Sequence, residues 1–306
     1  MNFFKTKISF FIIASMLLPI IIAYIMPDRE KPQPNIINVY DCDTNKIISM
    51  DEEEYIIGVV AAEMPADFEP EALKAQSLAA RTYLKSKDGC SAHPGADICT
   101  SFAHCQAYKS KDKLKEQWGS AYGEKLKKIS DAVVATSGKI ITYGGKPISA
   151  VFHSTSSGNT ENSEDVWEKS LPYLKSVSSN FDSESPKYES QKRYSWDEFQ
   201  KIIKSADNKV DFDLGIGDTE TSRGGAIKKI AIGGVDFKGT KIRELFSLNS
   251  ANFSIDIVDN EVIFTVHGYG HGVGMSQYGA NFMAKSGKKF DEIIKHYYTG
   301  VKITNE

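Results

Sequence analysis

The stretch VVAAEMPADFEPEALKAQSLAARTYL, Val59 to Leu84, decides how this chain is built. An apolar helix end closes on a single carboxylate, Glu63, and Pro65 stops it. A second helix then begins at the early Pro70 and carries Ala, Leu and Gln throughout, a composition that favours helix. Its Lys74, Ser77 and Arg81 are spaced by three, four and seven residues and share one face. If the Val59–Ala62 end is buried, desolvation disfavours the Glu63 carboxylate and raises its pKa. A carboxyl that keeps its proton near neutral pH donates it to a leaving oxygen. Two readings stand side by side. Either Lys74 and Arg81 orient an acidic or polyhydroxy ligand near Glu63, or these are solvated charges like most surface residues.

Outward from this core, INVYDCDTNKIISMDEEEY predicts a hairpin turning at Asp43-Thr44-Asn45. DEEEYIIGVVAAE follows as a helix with acidic residues in its first turn, where the dipole favours them. KLKEQWGSAYGEKLKKISDAVVATSG predicts helix broken near Gly123 and ending at Gly138. KIITYGGKPISAVFHSTSSG alternates like a hairpin about Gly144-Gly145. SWDEFQKIIKSA opens with a capping box, Ser195 with Glu198. GAIKKIAIG, NFSIDIVD and EVIFTVHG read as strands, and two short helices close the chain. Helices and antiparallel strands mix without a βαβ rhythm, which predicts an α+β fold.

The 306 residues carry a formal charge of -3, which argues against nucleic acid as the partner. Lys5 and Lys7 precede an uncharged run from Ile8 to Met26, long enough to span a bilayer. Basic residues before it and Asp28-Arg29-Glu30 after it predict a membrane anchor over 1–26 with the N-terminus in the cytoplasm. A cleaved signal peptide is the alternative, although no small-x-small site follows the run. Residues 27–35 form a Pro-rich linker, and 36–306 the extracytoplasmic working domain.

CSAHPGADICTSFAHCQAY brings Cys90, His93, Cys99, His104 and Cys105 into sixteen residues. Thiolates and imidazoles this dense suit zinc, and four of them close a tetrahedral structural site. Disulfides are the alternative outside the membrane, with Cys42 and Cys90 completing an even set. FHSTSSGNTENSEDVW lacks a nucleophile elbow, so Ser154 and Ser156 read as sugar-bonding hydroxyls or as a solvated loop. HGYGHGVGMSQYGA holds four glycines between Gly268 and Gly274, where the backbone can approach a ligand closely, and it is no P-loop.

Taken in order, AAEMP, LKAQSLAARTYL, HCQAY, FHSTSSGNTEN, VW and GHGVGMSQYGA resemble the stage II sporulation protein D (SpoIID) family, whose domain the distant amidase-enhancer proteins share. The resemblance spans Asn38 to Tyr298. It implies a lytic transglycosylase acting on peptidoglycan glycan strands already stripped of stem peptides, with Glu63 as the catalytic acid/base. Arg81, and Tyr173 and Lys175 of LPYLKSV, fall on positions the family needs for activity, and Lys74 on a further family position. His271, Ser276 and Gln277 fall at its cleft as substrate contacts. For the metal it favours His93, Cys99, His104 and Cys105, leaving Cys90 spare, although Cys90 in place of His93 stays open. It further implies engulfment during endospore formation, beside a membrane partner and an amidase/endopeptidase that prepares the substrate. Two rivals belong to other classes: a non-catalytic wall-binding module that stimulates an amidase, and a zinc hydrolase with an open metal position.

Overall fold

The structure, a computed structural model, describes residues 35–167 and 169–306. The anchor expected over 1–26 and most of the 27–35 linker lie outside them. Among the described residues no helix is long and apolar enough to cross a membrane.

Ile36–Asp41 (β1) and Lys46–Asp51 (β2) form the expected hairpin, with Ile36 opposite Asp51 and Asp41 opposite Lys46. Asp51 then caps the helix Glu52–Glu63 (α1): its side chain accepts the Glu54 N–H, and three glutamates fill the first turn. Tyr55, Ile56, Gly58, Val59, Val60 and Ala61 are all buried, so α1 is apolar on most sides and is enclosed rather than laid on a surface.

Pro70–Lys85 (α2) is the central helix, buried at every position from Ala75 to Leu84. Ile98–Cys99 (β3) runs parallel to β1 and ties the cysteine loop to the hairpin. Lys111–Trp118 (α3) and Tyr122–Ala135 (α4) are separated at Gly119, with φ +52, and not at Gly123, which lies inside α4. Only Gly119 adopts the left-handed conformation that stops a helix there. Lys139–Tyr143 (β4) and Lys146–Pro147 (β5) turn at Gly144-Gly145 as expected. Phe152–His153 (β6) leaves that hairpin, and Ser163–Trp167 (α5) follows it.

A second core lies within the same compact body. Glu189–Ser195 (β7), Trp196–Ala206 (α6), Ile216–Thr221 (β8), Ile227–Ile232 (β9), Val235–Lys238 (β10), Gly239–Leu245 (α7), Phe253–Val258 (β11) and Glu261–His267 (β12) build it. Its two antiparallel sheets run β10-β9-β8 and β11-β12-β7 around Phe199, Ile203, Ile232, Phe246, Val262 and Phe264. The Ser195–Glu198 capping box is present in full. Met275–Ser276 (β13) pairs parallel with β6, and Gln277–Lys285 (α8) and Phe290–Tyr297 (α9) return to the first core. Lys302–Asn305 (β14) closes antiparallel on β4. The α+β expectation holds, with two short parallel pairs added.

Arg81 clamps the first core. Its side chain is wholly buried, and its Nε and Nη2 donate to the two Glu53 carboxylate oxygens at 2.9 and 2.6 Å. Nη1 donates to the Thr136 carbonyl at 2.9 Å, and Nη2 also reaches the Val133 carbonyl at 3.2 Å, so the end of α4 is capped by the same group. Arg81→Met should lower the free energy of unfolding by roughly 2–4 kcal/mol, because it breaks a buried pair whose acidic side meets some solvent. Arg81→Lys should recover little, since an ammonium cannot reproduce the fork. Denaturant titration of both variants measures this.

Candidate active site

Glu63 stands at the end of α1, half-buried, and lines a cleft of about 690 Å³ between the two cores. Burial raises its carboxyl above the usual range, and one hydrogen bond, from the Ala107 N–H to Oε1 at 2.7 Å, partly offsets this. Among the described residues Oε2 has no hydrogen-bond partner in the protein. The segment that supplies the Ala107 N–H is zipped along α1. The Lys109 N–H donates to the Gly58 carbonyl at 3.2 Å, and the Tyr108 ring lies where a Cβ at Gly58 would stand, 2.2 Å away. Gly58 is therefore a packing necessity in the middle of a helix.

The remaining cleft wall comes from distant parts of the chain. Phe102 to Gln106, Val151 to Ser154, Trp167, Lys187, Arg243, Tyr269 to His271 and Gln277 all line it, and Glu63 is the one carboxylate among them. Phe102, Trp167 and Tyr269 are exposed there, at 82%, 42% and 42%. Rings presented this way suit the apolar faces of sugars. His153 donates from Nδ1 to the Val273 carbonyl at 3.2 Å, which leaves Nε2 as an acceptor, and that buried atom has no protein partner. Burial pushes His153 down to about 4. His271, which accepts the Val273 N–H at Nδ1, is pushed to about 3 by burial, then by the His153 and Arg243 charges. Both rings are neutral at pH 7. The Gln106 Oε1, also buried and lining the cleft, is likewise unpartnered.

The expected residues divide into three groups. Glu63, Ser154, His271 and Gln277 meet in the cleft. Ser156 and Ser276 do not line it. Asp182, fully buried, accepts the Ser156 N–H and the Ser276 hydroxyl at 2.9 Å each, so these serines fasten the serine loop to the start of α8. Arg81 is the internal clamp, and Lys74 pairs with Glu71 at 2.7 Å, so neither is among the cleft-lining residues. The shared helical face was read correctly, but that face points into the fold and along it. Tyr173 sits in a turn, not a strand, and its hydroxyl accepts the Ser149 N–H at 3.2 Å. Lys175 is paired with Glu164 on α5, the helix that carries Trp167. The glycine loop approaches protein, not only ligand. A Cβ at Gly270 would stand 2.8 Å from that of His153, and one at Gly274 would stand 2.2 Å from the Val151 carbonyl. Both have positive φ. Sequence reasoning missed Arg243 and Lys187 as cleft residues, and no local pattern marks them, whereas Tyr269 stands in the glycine loop already expected near a ligand and was not singled out within it.

In the cysteine loop, Cys90, Cys99 and Cys105 have sulfurs within 4.8 Å of one another, as do the ligand atoms of Cys42, His93 and Cys99. All four cysteines are free thiols, so the disulfide alternative is not realised here. Cys99 is common to both trios. Cys90 lies 3.7 Å from Cys105, closer in than a spare residue, and Cys42 joins from β1's end. His104 belongs to neither trio, its ring standing 5.7 Å from that of His93. The buried Nε2 of His93 has no protein partner, and with soft thiols around it this donor set fits a zinc ion. The same loop supplies Phe102 to Gln106 to the cleft wall.

A family model described as stage II sporulation protein, SpoIID, matches residues 40–143. Stage II sporulation protein D of Bacillus subtilis (strain 168) is 47% identical over 90% of this chain and 80% of its own length. That of Bacillus amyloliquefaciens is 45% identical with the same coverage. The amidase enhancer of Bacillus subtilis is 27% identical over 81% of this chain but only 40% of its own length.

Because the folded Glu63 carboxyl is raised, ionising it opposes folding. Its protonated form is accommodated fully below the unfolded pKa of about 4.3, and that advantage is lost as pH rises through the folded value. Glu63→Gln should therefore be more stable than the native chain at pH 7. The difference should close as pH falls below about 4. Thermal unfolding across pH reads this directly, and a carboxylate ionising as it does in water would give no such difference.

Proposed function

The chain belongs to the stage II sporulation protein D family, and on that premise we propose that it is a peptidoglycan lytic transglycosylase acting on denuded glycan strands. One observation carries the reading: a single carboxyl, raised by burial, in an aromatic-walled cleft with no second carboxylate among the described residues that line it. Most hydrolytic glycosidases use a pair of carboxylates, one of them to activate water or to attack. A lytic transglycosylase needs only one. Glu63 gives its proton to the glycosidic oxygen as that bond breaks. The resulting carboxylate then takes the proton from the C6 hydroxyl of muramic acid, which closes a 1,6-anhydro ring and returns Glu63 to its starting form. The Ala107 N–H steadies the ionised form between these steps. The unpartnered Nε2 of His153 and Oε1 of Gln106 accept hydrogen bonds from sugar hydroxyl or amide groups, and the Ser154, His271 and Gln277 side chains add further contacts.

Arg81, Tyr173 and Lys175 act through position in this scheme. Arg81 fixes the start of the helix that ends in Glu63, and Lys175 holds the helix bearing Trp167. Cys99 and Cys105 with His93, completed by Cys90, Cys42 or His104, would hold a zinc ion, whose role there would be structural, fixing the loop that forms one cleft wall. The chain works outside the cytoplasm, anchored through its N-terminal apolar run, in septal wall remodelling during engulfment. An amidase/endopeptidase that strips stem peptides and a membrane protein are its partners. A second reading, a wall-binding module that stimulates an amidase, is favoured by the similarity to the amidase enhancer.

Glu63→Gln should reduce anhydro-muramyl product from denuded strands by about 10²–10⁴-fold, measured by mass spectrometry, while binding persists. Equal absence of product from wild type and variant favours the binding module. The purified chain should carry stoichiometric zinc, and chelation should melt the domain. Chelation that stopped turnover in an intact fold would favour a zinc hydrolase. Comparison of His104→Ala, Cys90→Ser and Cys42→Ser by metal content identifies the fourth ligand.

A further inference from the structure

The charges around the cleft do not balance. Arg243 projects from the last turn of α7 and lines the cleft, half-buried. Its Nε donates to the Leu248 carbonyl at 3.3 Å, and among the described residues its guanidinium has no carboxylate partner. Its neighbours there are Tyr269 and two neutral histidines. Lys187 lines the same cleft with its Nζ 4.9 Å from the centre of the Tyr269 ring, and among the described residues it too has no carboxylate partner. Several other cations of this fold are paired, among them the buried Arg81 with Glu53, Lys85 with Glu52 and Glu306, and Lys175 with Glu164. The cleft's own carboxyl is biased by burial toward its neutral form, and its hydrogen bond comes from the Ala107 N–H and not from either cation. A chain whose formal charge is -3 has thus placed, in the wall of its sugar-stacking cleft, two cations that pair with no carboxylate among the described residues. Removing a guanidinium from water without a partner is costly, and such a cost is retained where a ligand supplies the anion.

We infer that Arg243, assisted by Lys187, is the specificity determinant that recognises a free carboxylate on the glycan. This rests on the transglycosylase reading, under which the carboxylate is the lactyl group of muramic acid. While a stem peptide is attached, that group is an amide with no charge and a bulky substituent. Amide hydrolysis frees it, so a reaction of that class must supply the substrate, and Arg243 is where the chain senses that it has occurred. The guanidinium fork suits bidentate binding of a carboxylate, whereas Lys187 contributes a point charge.

The test compares two ligands: denuded glycan strands with free lactyl carboxylates, and the same strands with those groups converted to methylamides. Binding is measured on the full chain bearing Glu63→Gln, so that turnover plays no part. The free-carboxylate strand should bind about 10–100-fold more tightly than its amide. Adding Arg243→Met should bring the two affinities together while leaving that for the amide in place. Arg243→Lys should restore part of the preference, and the exposed Lys187→Met should lower it without risk to the fold. Equal binding of both ligands, or a preference that survives Arg243→Met, overturns the inference. Absence of anhydro product from the wild-type chain sinks the transglycosylase reading instead, and the binding preference is judged separately from it.

Discussion

The α1 helix is fixed at both ends, and the chemistry of the cleft depends on that constraint. At its start Glu53 is gripped by the buried Arg81 fork, which also caps α4. At its end the Ala107 N–H holds Glu63, and the Tyr108 ring lies on Gly58 between the two. The apolar residues between these ties are buried, so α1 cannot slide or rotate without exposing them. The result is a carboxyl whose position and solvation are set by packing. Its proton affinity follows from that packing, not from a neighbouring charge.

The cleft treats acids and bases alike by favouring their uncharged forms. Desolvation raises Glu63 and lowers His153 and His271, so burial favours the neutral form of each, and both imidazoles are uncharged at pH 7. Arg243 is the exception, because a guanidinium cannot give up its proton in this range. Its charge, unpaired among the described residues, and the aromatic surfaces beside it suit the proposed ligand, which is mostly sugar and partly anionic.

The cysteine loop joins two jobs that look separate in the sequence. Cys99 sits on β3, paired with the first strand, and its sulfur is shared by both ligand trios. The residues between Cys99 and Ala107 form a cleft wall and then deliver the N–H that binds Glu63. Whatever orders this loop therefore also orders the acid. That links a structural metal to the proposed catalysis without placing the metal in the reaction.

The sequence by itself determined the mixed fold, the order of its main helices, the hairpins, the Ser195 capping box and the candidate acid. These follow from periodicity, caps and turn residues, which are local properties that tertiary contacts reinforced. The apolar run before Glu63 correctly foretold a desolvated carboxyl, because burial of a helix end is written in its neighbours. Where side chains point was decided by the tertiary structure alone. The common face of Lys74, Ser77 and Arg81 was legible, but helical spacing cannot say that this face meets Glu53 and the end of α4 instead of a ligand. Ser156 and Ser276 read as sugar contacts until Asp182, far away in the chain, claimed them both. Arg243 and Lys187 carry no local signal, since their meaning arises only when the second core folds against the first and brings them to Glu63. Local pattern fixes conformation, whereas a site is a juxtaposition of segments distant in the chain, and only their packing creates it.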